Sequence, residues 1–379
     1  MGRYFRKNNK KGSSMIFLSM ILAGLIGLAV LLAVSAREKA GLSYRRTVTD
    51  IACRSVLSEY DFRLKDEYGI FAFRGGNKYV EDKIAYYLEY ADDKSDIMFS
   101  ALPEKLECDV KGFEITDTDN FEKQIIAAAK HDALRLDKVG FNAEMIADIA
   151  KLEKAELDSA AVICGLPSYG FTGKALDLDF PDLTEDGLKG LIVQAGDTFM
   201  TNKYAFSVFN CRTKHLENHY SYFNFEIEYL ICGYFSDAEN LDKIKDYLVI
   251  LRTPINIAKI YADSERSALA LAEAEAIAPG PGAIAMQLVI ITEWAVEDSK
   301  KDANKLMNGE KVDGLAYEDY LAIFLSLQDR ETKLLRMMDL VQINMRKNYY
   351  NGFLLSEHSC GFYLFTEHHG KELTYVHTY

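Results

Sequence analysis

No charged residue occurs between Gly12 and Ala36, and no acidic residue precedes Glu38. Proline is scarce, with six in 379 residues, and tryptophan occurs once. So few prolines exclude a Pro-rich stalk or spacer. The chain has no Gly-rich phosphate loop of either usual spacing, no serine elbow and no Cys-x-x-Cys pair, so nucleotide, hydrolase and dithiol chemistry have no motif to rest on. Gly165-Leu166-Pro167-Ser168-Tyr169-Gly170 imitates a serine elbow, but the spacing is one residue too long and a proline sits inside it. The sequence therefore predicts no enzyme and no cofactor.

What the chain has is a large core and an uneven charge. Apolar residues make up 49% and charged residues 27%, with 23 Tyr and 21 Phe, a composition that folds rather than one that stays disordered. The formal net charge of −13 hides an asymmetry. Residues 1–46 hold nine Lys/Arg against one acid, a net +8 that leaves −21 for the remainder. A domain this acidic is a poor partner for nucleic acid, because phosphate binding needs a clustered basic surface.

The uncharged run at 15–36 supplies 22 residues, and about 20 span the hydrocarbon core of a bilayer at 1.5 Å each. A cleaved signal has a shorter apolar stretch, about 7–15 residues. The small residues Ala33 and Ala36 keep that alternative in view, but the length predicts a retained anchor. Its candidate lipid-facing and packing residues are Met15, Leu18, Ala23, Gly24, Gly27, Leu31 and Ala36, with Gly24 and Gly27 three apart on one face. Five Lys/Arg precede the run and five follow within 18 residues, so the positive-inside count ties. The acid-free leader and the acidic bulk predict a cell-membrane protein, single-pass, with a cytoplasmic N-terminus and an extracytoplasmic C-terminal domain.

Four parts follow: a basic tail at 1–14, the transmembrane helix at 15–36, a helical stem at 37–68 ending at Gly69, and a domain at 69–379. The stretch 166–185 offers a possible subdivision. The stem keeps a helical rhythm with charges between its apolar positions. Residues 223–231 alternate Phe223, Phe225, Ile227, Tyr229 and Ile231 with Asn224, Glu226, Glu228 and Leu230, and so predict a strand with a wet acidic face. Helices are expected at 80–90, 121–139 and 143–161. A helical hairpin is expected at about 238–296, broken by Pro254, and two more helices at 317–346. The apolar stretch 282–296 is too short to span and is expected as a buried core helix. The fold class is α+β: a long N-terminal helix, transmembrane then amphipathic, packed on a mixed or antiparallel sheet with additional helices.

His215 and His219 stand four apart and share a helix face, but lack the glutamate that a metalloprotease helix carries. They are expected as surface polar residues, so no metal is predicted. Six scattered cysteines (53, 108, 164, 211, 232, 360) allow 15 full pairings, and the spacing decides none of them; buried free thiols are expected.

Residues 12–41 (GSSMIFLSMILAGLIGLAVLLAVSAREKAG) and 53–73 (CRSVLSEYDFRLKDEYGIFAF) resemble an uncharacterised bacterial family of membrane-anchored proteins with a pilin-like N-terminus. That family is associated with tight-adherence (Flp-type) pilus systems and is similar to TadE/TadG-like pseudopilins. Residues 225–233 (FEIEYLICG) and 315–346 (LAYEDYLAIFLSLQDRETKLLRMMDLVQINMR) carry the resemblance into the middle and far end of the chain. It implies a non-enzymatic component of a pilus or related surface assembly. The implied partners are the membrane, other pilus or secretion-system components, and other copies through the first helix. It also makes Gly12, behind Lys10-Lys11, a candidate leader cleavage site. The chain departs from the type IV pilin pattern in one respect: Phe17 stands five residues beyond Gly12, where those pilins carry Glu. The alternative is an anchored ectodomain that binds a cell-wall or extracellular ligand through its aromatic surface.

Overall fold

A computed structural model describes residues 11–94, 99–132, 165–168, 176, 197–217, 219–368 and 370–379. In chain order its elements are α1 (Lys11–Leu57), α2 (Phe62–Tyr68), β1 (Phe73–Arg74), α3 (Asn77–Lys94), β2 (Lys105–Asp109), α4 (Thr118–Asp132), α5 (Asp197–Val208) and α6 (Glu226–Cys232). There follow α7 (Asp237–Ala262), α8 (Ser264–Ile277), α9 (Gly282–Met307), α10 (Tyr317–Leu327), α11 (Arg330–Asn348), β3 (His358–Ser359), β4 (Gly361–His368) and β5 (Lys371–Thr378). The fold is α+β, with a long apolar N-terminal helix and small antiparallel sheets. The expected helix at 143–161 and most of the expected linker at 166–185 lie outside the described residues. The chain forms two compact units.

The first unit takes residues from 1–59, 75–110 and 362–378. Here α1 packs on α3 and β5. Its buried positions, Gly41, Thr49, Ala52, Cys53 and Val56, recur at helical spacing. Gly41 allows the approach of Phe99, whose ring would lie 3.1 Å from an added Cβ. The sheet has the order β2-β4-β5, with β2 antiparallel to β4 and Cys108 opposite Leu364. Along β4, Phe362, Leu364 and Thr366 are buried while Tyr363 and Phe365 are exposed, the alternation of a one-sided sheet. The free edge of β2 is closed by α3: the Cys108 and Val110 amides donate to Glu81 and Asn77, 2.9 Å each. That removes the unpaired edge on which aggregation would start.

The stem expected as one helix at 37–68 is two. α1 stops at Leu57, and Asp61 caps α2 by accepting from the Arg63 and Leu64 amides. As the sequence predicts, α2 ends at Gly69, which is left-handed (φ 66°) with Ala128 pressed against it. An aspartate whose Oδ1 accepts from two amides of the next turn outcompetes helix continuation where the chain must turn.

The second unit takes 60–74, 111–361 and Tyr379. Its core gathers α2, α4, α5, α6, α7, α10 and α11. Helix α11 lies at the centre, with every residue from Thr332 to Arg346 buried except Arg336. β1 and β3 form a two-stranded antiparallel pair. α7 and α8 both pack on α9. Pro254 sits inside α7 without ending it. The carbonyl that Pro254 cannot engage belongs to the exposed Ile250, and Thr253 Oγ1 donates to the Val249 carbonyl one step earlier (2.7 Å).

The strand expected at 223–231 is not a strand. Residues 226–232 form α6, capped by left-handed Gly233 (φ 78°). Glu226 and Glu228, expected in water, are fully buried. Alternation reports a strand only when one face is wet, and here the segment is enclosed on all sides. Helix satisfies the buried backbone within the segment itself, and local donors take up the carboxylates.

Candidate functional site

Two features concentrate the side chains that this chain can use: the N-terminal part of α1, and a polar cluster around α6.

From Met15 to Ala40 every residue of α1 is exposed. Met15 is 77% exposed, Leu18 66% and Leu31 67%. A Cβ placed on Gly24 or Gly27 would meet nothing within 4 Å. Ala23 and Ala36 lie on the same bare stretch. Gly12 lies in the first turn of α1. Among the described residues this is one helix long and apolar enough to cross a membrane, and its place near the N-terminus is one that anchors and signal sequences share. So many exposed leucines and isoleucines do not stay in water. The helix is built to be covered by something other than its own domain.

Around α6, Glu226 Oε2 accepts from the Asn210 amide and faces His219 Nε2, 2.8 Å each, while Oε1 accepts from Asn344 Nδ2 at 2.6 Å. Glu228 Oε1 accepts from the Arg212 amide (2.9 Å) and the Tyr317 hydroxyl (3.0 Å). Its Oε2 has no partner among the described residues. Burial pushes the Glu228 carboxyl up to about 7. On α11, Asp339 accepts from the Ser168 amide and hydroxyl and from the Tyr229 hydroxyl, and burial raises it to about 6. The false serine elbow at 165–170 thus spends Ser168 on a carboxylate, not on a histidine base.

His219 serves Glu226, and so is not available as a metal ligand paired with His215. Burial opposes its protonated form, but the bond to Glu226 and that residue's charge outweigh burial and raise it. Among the described residues no three His, Cys, Asp or Glu side chains converge as metal ligands. Cys53, Cys108, Cys211 and Cys360 are buried free thiols and Cys232 is half-buried; Cys164 lies outside the described residues. Burial drives Cys53 and Cys232 up to about 12, so they are inert at neutral pH.

The cluster has a measurable consequence. Glu228, Asp339 and His219 all hold protons more tightly folded than unfolded. Their stabilisation is present in full below their unfolded values and is lost as pH rises through the folded ones. His215, lowered by burial, acts in the opposite direction. Each of the two carboxyls is worth up to about 3 kcal/mol. The melting temperature should therefore fall by several degrees between pH 5 and pH 8, and Glu228→Gln should flatten that slope. A flat profile in the unmodified chain contradicts it.

The sequence reading missed this cluster because it placed Glu226 and Glu228 on a wet face. The signal was there in Asn210, His219 and Asn344, polar residues set in otherwise aromatic and aliphatic stretches.

A protein-family model described as a family of unknown function, DUF5702, matches residues 140–313 and 311–368, more than half of the chain. No curated protein and no solved structure matches.

Proposed function

We propose, from the premise that this chain belongs to the family of unknown function DUF5702, that it is a membrane-anchored, non-enzymatic, pseudopilin-like component of a tight-adherence pilus or related surface assembly. The family description carries no activity, so the reading rests on the chain itself. The observation that carries it is the division of α1. Residues 41–57 pack on α3 and β5, whereas among the described residues 15–40 are exposed throughout. One continuous helix thus joins a folded unit to an apolar rod. Such a rod is stored in a bilayer as a monomer and exchanges lipid for neighbouring helices on assembly. The resemblance at 12–41 and 53–73 supplies the kind of assembly. The buried carboxylates support a non-enzymatic reading, since Glu226 and Asp339 are fully engaged in holding backbone and side-chain donors.

In this reading 15–36 is an anchor, the N-terminus is cytoplasmic and residues 37–379 are outside. The protein should stay with membranes through alkaline carbonate, and protease added to wall-stripped cells should digest 37–379 while sparing an N-terminal tag. A carbonate-soluble protein would identify a cleaved signal, and a protected C-terminal domain would invert the topology.

A further inference from the structure

The helical hairpin of α8 and α9 ends in a tip that the assembly reading does not use. From Ala276 to Thr292 the sequence has 17 residues without a charge. The structure leaves much of this stretch uncovered. Ile277 is 64% exposed, Ile284 72%, Val289 59% and Leu288 49%, and Leu269 on α8 is 55% exposed. The sequence predicts a buried core helix at 282–296, and only one side of it is buried. Ala283, Ile290 and Ile291 pack inward on Ala270 and Ala274, and alanines at the seam keep the hairpin narrow.

Several polar groups of the tip are bonded within the hairpin or missing. Pro279 and Pro281 have no N–H. The Ala278 amide donates to the Ala274 carbonyl (2.8 Å) and the Ala283 amide to the Gly280 carbonyl (3.0 Å). Gln287 turns inward to the Ser267 carbonyl (2.9 Å), and Thr292 Oγ1 returns to the Leu288 carbonyl (2.7 Å). The side chains Gln287 and Thr292 therefore lose no bond on leaving water, and the uncapped amides that open α9 need acceptors of the kind the interfacial layer supplies.

We propose that this tip inserts into the interfacial layer of a lipid bilayer. A protein partner meets an apolar patch rimmed by polar groups on one face. Between Ala276 and Thr292 the exposed apolar side chains stand on both helices, Ile277 on α8 and Ile284, Leu288 and Val289 on α9, with no exposed polar side chain among them, as suits a tip surrounded by an apolar medium. The charges that follow set the depth. Glu273 and Glu275 on α8, and Glu293 about 14 Å along α9 from Ile284, form an acidic collar that stays in water. That collar allows shallow insertion of about 5–10 Å and favours zwitterionic over anionic headgroups. The inference rests on the reading of α1 as an anchor, which supplies the membrane.

The test uses the full chain in phosphatidylcholine vesicles, with its one tryptophan replaced (Trp294→Phe) and a probe introduced by Ile284→Trp or, separately, Ile277→Trp. Glu310→Trp, beyond the far end of α9, is the control. With phosphatidylcholine brominated near the headgroup end of its acyl chains, emission from both tip probes should fall roughly twofold, as expected for interfacial depth, and the control should not change. In the unmodified chain, a photoreactive phosphatidylcholine should label peptides from 276–292. Tip probes no more quenched than the control, or labelling confined to α1, in protein that stays on the vesicles overturns the inference and leaves the anchor reading standing. Protein that carbonate strips from the vesicles overturns both.

Discussion

Gly24→Leu combined with Gly27→Leu should leave the protein in membranes at its normal level and remove it from crosslinked complexes and from pilus production. Both substitutions keep the segment apolar, so insertion is unaffected. A Cβ added to either glycine meets no described residue within 4 Å, so the folded units are undisturbed. What changes is the closest distance at which another helix can approach. Within a bilayer, helices gain little from hydrophobicity, because lipid is as apolar as leucine; close packing at small residues supplies the contact. Two leucines one turn apart abolish that approach. Blue-native electrophoresis after crosslinking, with immunoblotting of sheared surface fractions, reads the outcome. Normal complexes and normal piliation in the double variant refute packing through this face. A control at Leu18→Ala and Leu31→Ala separates lost packing from a general change in the helix.

The largest effect on stability is expected at Glu226. Its carboxylate holds the Asn210 amide, the His219 ring and the Asn344 amide group in a site closed to solvent. Asn344 cannot turn round to help, because its Oδ1 already accepts from the Tyr222 amide (2.8 Å). Glu226→Ala leaves these donors unpaired and opens a cavity, at a cost of about 4 kcal/mol, against a total stability of roughly 5–15 kcal/mol for an ordinary domain. Glu226→Gln fills the space but sets an amide N–H against a donor, which should cost about 1–3 kcal/mol. Denaturant unfolding of the detergent-solubilised chain should rank the unmodified protein above Glu226→Gln and that above Glu226→Ala. Equal midpoints would show that the carboxylate holds nothing.

Both predictions concern residues that the sequence treats very differently. Gly24 and Gly27 stand in an uncharged run whose length and apolar character can be read directly along the chain. The cap at Gly69, helices α10 and α11, and strands β4 and β5 are legible because each is fixed by residues within a few positions of one another. Glu226 and Glu228 are not. Their spacing of two matches a half-wet strand, and only the enclosure of 226–232 by α7, α10 and α11 reveals that no face is wet. Pro254 misleads in the same way. Alone it predicts a break, yet the helix runs on because the carbonyl it frees belongs to the exposed Ile250 and Thr253 bonds back to Val249. The stretch at 282–296 errs in the opposite direction, since its hydrophobicity predicts burial that only one side of it achieves.

The sequence by itself determined the apolar rod, the acid-free leader, the acidic bulk and the α+β character, because each depends on composition or on contacts a turn or two away. The tertiary structure alone decided which carboxylates are buried, where the long helix gives way to a second one, and which apolar side chains are left for lipid or partners. Burial depends on what distant segments bring to the same place. A carboxylate has the same sequence signature in water and in a core, and only its assembled neighbours distinguish them.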